Sequence, residues 1–168
     1  MGKGTVVGRV LQRVPDLFLS VSVTTRPRRP IEREGVDYVF VSDSEFNRMS
    51  AEGELLEWAD VFGHRYGTRA EPIQQVLATG RDVLLEIDVQ GARQVKDRMP
   101  EAVLILLEPP SLLELERRLR SRGTEDEERL AARLAEAGRE LEQRDWFDHV
   151  VVNEQVETAS GLVAAIIE

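Results

Sequence analysis

Short apolar runs alternate with charged segments of helical period along this chain, the pattern of an α/β protein with a largely parallel sheet. Val6, Val7, Val10 and Leu11 fall on one face of a helix over 5–13, which Pro15 ends. Leu17 to Val21 predicts a strand, and Tyr38 to Val41 another. Ser42 with Glu45 has the spacing of a capping box, opening a helix to about Glu52. Leu55 to Phe62 reads as extended, and Gly63-His64-Arg65-Tyr66-Gly67 as the turn that brings the chain back. A helix is expected from near Pro72 to Gly80. Asp82-Val83-Leu84-Leu85-Glu86-Ile87-Asp88 predicts a buried parallel strand that delivers acids to an active-site edge, and Ala102 to Leu107 is a second such run. Ser111 with Glu114 and Thr124 with Glu127 are two further capping boxes, opening helices with arginine-rich faces. Val150 to Val152 and Val156 to Ile167 give the last strand and the last helix. No linker divides the chain. The expectation is one domain over 1–168, with excursions from its core at about 24–70 and about 120–144.

Composition narrows the class of partner. The 168 residues are 42% hydrophobic and 32% charged, enough for a real core. Lys and Arg number 22 against 31 Asp and Glu, a net charge of -9, which argues against general affinity for nucleic acid or an anionic membrane. The absence of cysteine removes disulfides and thiolate chemistry and fits a reducing cytoplasm. No apolar run is long enough to span a bilayer, and no secretory signal peptide is evident.

On this acidic background one basic segment stands out: Ser22-Val23-Thr24-Thr25-Arg26-Pro27-Arg28-Arg29-Pro30, followed by Glu32 and by Asp37-Tyr38. Its arginines can fork onto phosphate oxygens and Tyr38 can add a phenolic bond. Pro27 and Pro30 keep the segment out of a helix, so the guanidinium groups can converge from a loop. The segment taken alone also fits a solvated basic loop; its acidic setting points to a dedicated site for a small anion. Gly2-Lys3-Gly4-Thr5, immediately before the first helix, matches the second half of a phosphate-binding loop, with a glycine between the lysine and the hydroxyl. In such loops backbone N–H groups at the helix start cradle phosphate and the lysine neutralises it.

Further segments follow in order: Gly35-Val36-Asp37-Tyr38-Val39-Phe40, Gly53-Glu54-Leu55-Leu56-Glu57-Trp58-Ala59, Tyr66-Gly67-Thr68, Leu85-Glu86-Ile87-Asp88-Val89-Gln90-Gly91-Ala92, Arg120-Ser121-Arg122-Gly123-Thr124-Glu125 and Val150-Val151-Val152-Asn153. With the two basic segments they span nearly the whole chain, and together they resemble guanylate kinase. The resemblance implies a P-loop nucleoside monophosphate kinase fold, a mainly parallel sheet flanked by helices with GMP-binding and lid excursions. It implies ATP-dependent phosphorylation of GMP, or dGMP, with Mg²⁺ carried by the ATP. On the acceptor side it implies that Arg26, Arg29, Tyr38 and Tyr66 grip the GMP phosphate, that Glu32 belongs to the GMP site, and that Ser22, Glu57 and Thr68 read the base. An ionised Glu57 can accept from both the N1–H and the exocyclic amine of guanine, a pair of donors that adenine lacks. Asp88 is implied at the GMP side, where it can hold metal-bound water or orient an arginine. On the donor side the resemblance implies Gly2, Lys3, Gly4, Thr5 and Asn153 for ATP, Thr5 for Mg²⁺, and Lys3, Arg122 and Arg133 as the catalytic cations.

Two expectations depart from that picture. Family members carry a strand and a half-loop before Gly-Lys-Gly-Thr, whereas here only Met1 precedes it. We therefore expect the natural protein to begin further upstream, with Met1 a misassigned start at a GTG codon. A chain that begins at Met1 is expected to be poorly stable and a weak kinase. The alternative from another class is a non-catalytic guanylate-kinase-like module that binds phosphopeptides or GMP. Against it stand Lys3, Thr5, Arg122 and Arg133, which such a module has no need to keep.

Overall fold

In chain order the elements are α1 (Lys3–Arg13), β1 (Phe18–Leu19), β2 (Val23–Thr24), β3 (Val39–Phe40), α2 (Asp43–Ala51), β4 (Leu55–Val61), β5 (His64–Arg69), α3 (Ala70–Ala78), β6 (Val83–Leu84), α4 (Val89–Arg98), β7 (Ile105–Glu108), α5 (Leu112–Arg122), α6 (Glu127–Leu141), β8 (His149–Val152) and α7 (Val156–Ile167). They come from a computed structural model that describes residues 2–123 and 126–168, apart from the side chain of Arg122. Two compact units result: Asp16–Ala102, and Met1–Pro15 with Val103–Glu168.

The Asp16–Ala102 unit holds two sheets. β1 and β6 pair in parallel, Phe18 opposite Val83 and Leu19 opposite Leu84. The other sheet has the order β3-β2-β5-β4, with β2 parallel to β3 and antiparallel to β5, and β4 antiparallel to β5. Leu17 to Val21 is thus no single strand. Its middle pairs with β6, and the chain then crosses to the second sheet as β2. The reversal expected over 63–67 occurs earlier and is tighter. Phe62 (φ 51°) and Gly63 (φ 78°) form the loop between β4 and β5, and Tyr66 and Gly67 lie within β5. Both loop residues have positive φ, as a type I′ hairpin turn requires, and only the second is glycine. Val23, Phe46, Met49 and Leu55 form a core between this sheet and α2, while Leu56, Ile73 and Val95 form another that takes in Phe18 and Val83.

Strand pairing covers only Val83 and Leu84 of the Asp82–Asp88 run; Asp88 is already the N-cap of α4. α3 begins two residues before Pro72, which sits in its first turn, where a missing N–H costs nothing. The capping boxes are half built. The Ser42 and Ser111 hydroxyls accept from the N–H groups of Glu45 (3.1 Å) and Glu114 (3.0 Å), but those carboxylates turn to Arg48 and to Arg117 and Arg118. A charged donor outcompetes the neutral N–H for the carboxylate. The two guanidinium groups hold the Glu114 carboxyl down at about 2. Thr124 lies outside the described residues; the N-cap of α6 is Asp126, which accepts from the N–H of Arg129 at 2.8 Å.

In the second unit β7 and β8 pair in parallel from Ile105 opposite His149 to Glu108 opposite Val152. α1 packs on α7, where Arg13 pairs with Glu157, burying Val6 and Val10 of α1 and Ala159 and Val163 of α7. α5 and α6 pack through Leu115, Leu119, Leu130 and Ala137. Among the described residues no helix is long and apolar enough to cross a membrane.

Candidate functional site

Glu57 lies on β4 opposite Thr68 on β5, just past a register shift between Leu55 and Glu57. The shift leaves Leu55, Leu56 and Glu57 buried in succession, and Glu57 is only 3% exposed. It is not an outward acid on a solvated face. The Thr68 hydroxyl donates to Glu57 Oε1 at 2.6 Å. Burial pushes the Glu57 carboxyl up to about 7; the Thr68 bond opposes this, the charge of Asp88 adds to it, and Arg98 offsets part. Its other oxygen, Oε2, occupies space where Gly91 has no side chain: a Cβ there would stand 2.2 Å away.

A second cluster forms around Arg26. Its guanidinium forks onto Glu32, at 2.7 Å to Oε1 and 3.1 Å to Oε2, and its Nε donates to the Tyr66 hydroxyl at 3.2 Å. It lies 5.3 Å from the ring centroid of Tyr38, and Tyr38 meets Tyr66 edge-on at 6.0 Å. Glu32 Oε2 also accepts from the backbone N–H of Arg29 at 2.8 Å, so one carboxylate organises both arginines. The bond to Glu32 raises the Arg26 pKa above its ordinary value and lowers that of Glu32, while burial raises that of Tyr38. Arg29 itself is exposed. Ser22 is half-buried between β1 and β2, its carbonyl accepting from Val39 N–H at 2.9 Å. Tyr66 and Thr68 are two residues apart on β5 and so face the same side, which puts the arginine cluster and the buried acid along one sheet surface.

Asp88 belongs to neither cluster by direct contact. Its Oδ1 accepts from Gly91 N–H at 2.8 Å and its Oδ2 from Gln90 Nε2 at 3.2 Å, a helix cap rather than the last residue of a strand. Three residues of α4 outside the sequence-predicted set lie against β4 beside Glu57. Besides Gly91, these are Gln94, whose amide accepts from Trp58 N–H at 3.1 Å and donates to Trp58 O at 2.7 Å, and Arg98, which donates to Leu55 O and Leu56 O at 2.8 and 2.5 Å. Their signal was a spacing of three and four residues, one face of a helix.

The other unit carries the donor-side candidates. Gly2 caps α1 in the left-handed region at φ 75°, and Lys3, Gly4 and Thr5 form the first turn, Thr5 exposed. A Cβ on Gly2 would meet Asn153 Nδ2 at 3.2 Å, so the loop glycine and the end of β8 are neighbours. Asn153 is 2% exposed and donates its N–H to Glu108 O at 2.7 Å. Arg133 is half-buried on α6; the side chain of Arg122 is outside the described residues.

A basic, phenol-lined corner beside a buried acid, on an α/β chain with a glycine-rich helix start, has the outline of a nucleotide phosphotransferase. The comparisons with known proteins narrow the class. The family model for guanylate kinase matches residues 1–168. Guanylate kinase of Thermosynechococcus vestitus is 54% identical over 157 residues, 94% of this chain and 82% of that one. That of Thermobifida fusca is 52% identical over 167 residues, 99% of this chain and 85% of that one. A crystal structure of guanylate kinase from Anaplasma phagocytophilum superposes with a TM-score of 0.83 at 37% identity, over 98% of this chain and 79% of that one. The chain belongs to the guanylate kinase family.

Proposed function

We propose that this chain phosphorylates GMP to GDP with ATP as donor, and that Glu57 selects the base. The observation that carries the reading is the buried Glu57–Thr68 pair beside the Arg26–Tyr66 cluster on one sheet face. A carboxylate 3% exposed has lost its water, and guanine's N1–H and amine are the donors that restore its bonding. An adenine base leaves it buried and unpaired, a large penalty against the wrong purine. Ser22 and Thr68 supply hydroxyls to the base. Arg26, Arg29, Tyr38 and Tyr66 take the phosphate, with Glu32 holding the two arginines in register. Asp88 acts at the acceptor side through α4, which it caps.

On the donor side Gly2, Lys3, Gly4 and Thr5 bind the ATP phosphates and Asn153 lies beside the adenine. The Thr5 hydroxyl, exposed in the first turn of α1, is the hard oxygen donor that suits Mg²⁺ alongside phosphate oxygens. Mg²⁺ held there neutralises phosphate charge. Lys3, Arg122 and Arg133 are the cations for the transferring group, whose charge spreads over three oxygens. A binding module without catalysis makes no use of Lys3, Thr5 or Arg133, and we do not favour it. The cytoplasm, where both nucleotides are made and used, is the proposed setting.

The test is ADP release, coupled to a spectrophotometric readout, with GMP, dGMP, AMP and UMP as acceptors. GMP is expected to be turned over fastest, and AMP at least about a hundredfold less efficiently. Equal use of GMP and AMP, or no turnover with GMP, overturns the proposal.

A further inference from the structure

β4 is an edge strand, the last in the order β3-β2-β5-β4, and it carries the register shift beside Glu57. Edge strands expose a row of unpaired backbone groups, and a bulge adds carbonyls that no ladder can satisfy. Here side chains of α4 take the place of a further strand. Arg98 donates through one nitrogen to both Leu55 O and Leu56 O, the two successive carbonyls at the irregularity. Gln94 closes a two-bond ring with the N–H and C=O of Trp58, as a neighbouring strand residue would. Glu57 lies between these two clamps, and its Oε2 fills the space left by Gly91 on the same helix. The cap of α4 is Asp88, so the helix that braces the strand starts beside the acceptor site.

We infer that Gln94 and Arg98 are positioning residues for guanine selection: they lock the irregular edge of β4 so that the carboxylate of Glu57 is held still between Thr68 and Gly91. The inference rests on Glu57 being the base reader. A bidentate contact to a base requires its acceptor oxygens within a fraction of an ångström of their place, and a backbone free to relax its bulge cannot supply that. Neither Gln94 nor Arg98 needs to touch the nucleotide. Their loss therefore separates selectivity from turnover, which a general loss of fold does not do.

The experiment compares Gln94→Met, which keeps the volume and removes both bonds, with Arg98→Met, Arg98→Lys and Glu57→Gln, each checked for a cooperative melt. Steady-state kinetics are measured with GMP and with AMP. Gln94→Met and Arg98→Met are expected to raise the KM for GMP about tenfold, with kcat at saturating GMP within about twofold. The AMP efficiency is expected to stay unchanged, so the GMP:AMP ratio drops about tenfold. Arg98→Lys, which can still donate to the carbonyls, is expected to recover most of that ratio. If Glu57→Gln collapses the ratio while Gln94→Met and Arg98→Met leave it within twofold, the inference is wrong and the base-reader assignment stands. If Glu57→Gln leaves the ratio intact, both fall. Should a methionine variant not fold, Gln94→Glu, which keeps the acceptor for Trp58 N–H and loses the donor to Trp58 O, serves in its place with the same criterion.

Discussion

In the Asp16–Ala102 unit the proposed GMP residues are tied to one another, whereas in the other unit the proposed ATP-side residues are spread over a helix start, the end of a strand and two helices. Glu57 bonds Thr68, Glu32 bonds Arg26 and Arg29, and Arg26 bonds Tyr66, most of it partly or wholly buried. Lys3, Gly4 and Thr5 follow an αL glycine that offers no side-chain cap. Arg117 and Arg120 of α5 pair with Glu114, Glu116 and Glu127 on largely exposed faces. The difference matches the two tasks. A site that rejects the wrong base must hold its carboxylate in place before any ligand arrives, because discrimination comes from the cost of leaving its remaining bonding capacity unsatisfied. Cations that stabilise charge during transfer act on charge that develops only as the phosphoryl group moves, so they need not be tied into the base-reading site.

The sharpest way to separate the two regions is Lys3→Ala. Removing one preorganised cation from a transferring phosphoryl group is expected to lower kcat by about 10²–10³-fold. GMP binding, measured by calorimetry in the absence of ATP, is expected to stay within about twofold. A parallel loss of GMP affinity would break the division of labour drawn here. Glu32→Gln probes the opposite region with a smaller effect. Four of the five N–H directions of Arg26 are already engaged, two of them by Glu32, and the Arg29 backbone depends on the same carboxylate. Hydrogen bonds to charged groups are worth about 1.5–3 kcal/mol each, so loosening this hub is expected to raise the KM for GMP about tenfold. Turnover at saturating GMP is expected to change by less than about threefold; a kcat collapse would place Glu32 with the transfer machinery instead.

What the sequence disclosed about these regions follows from where the signals lie. Val156 to Ile167 was legible to the residue because an uninterrupted apolar period needs no partner to be recognised. Two apolar runs outlast their strands: Leu17 to Val21 and Asp82 to Asp88 are apolar enough to pair, but only two residues of each meet a partner strand. Apolarity reports burial, and burial is not hydrogen-bonded pairing. The turn falls before the glycine-flanked stretch because Phe62 at φ 51° is a residue that no turn preference nominates, while Gly67 within β5 is glycine for a different reason. A Cβ there would crowd Glu57 O, Leu55 and Trp58, each at 3.2 Å. The acceptor-side residues were legible as chemistry, since arginines, tyrosines and an acid in an acidic chain invite an anion. Their supports were not. Gln94 and Arg98 read as the polar face of a helix, and only the fold brings that face to the edge of β4.

The smallest effect tests the preformed region through pH. Glu57 keeps its proton to about 7 in the folded chain, against an ordinary 4.5, because burial disfavours the charge. A raised folded value means that the stability it contributes is fully present below about 4.5 and is lost as pH rises through about 7. Glu57→Gln cannot ionise, so its urea midpoint is expected to gain on that of the parent between pH 5 and pH 8, by at most about 3 kcal/mol in unfolding free energy. GMP recognition runs the other way, since only the carboxylate accepts from both guanine donors. From pH 7.5 down to 6.5 its ionised fraction falls about threefold, and the KM for GMP is expected to rise by about that factor. The phosphate of GMP titrates nearby, at about 6, and contributes to any such profile. Glu57→Gln shares the phosphate but not the carboxyl, so the parent-to-variant ratio of KM isolates the acid. A ratio that stays flat across this unit of pH means that Glu57 is already ionised in the free protein, and that burial has not given this side of the molecule the poised carboxyl the comparison assigns to it.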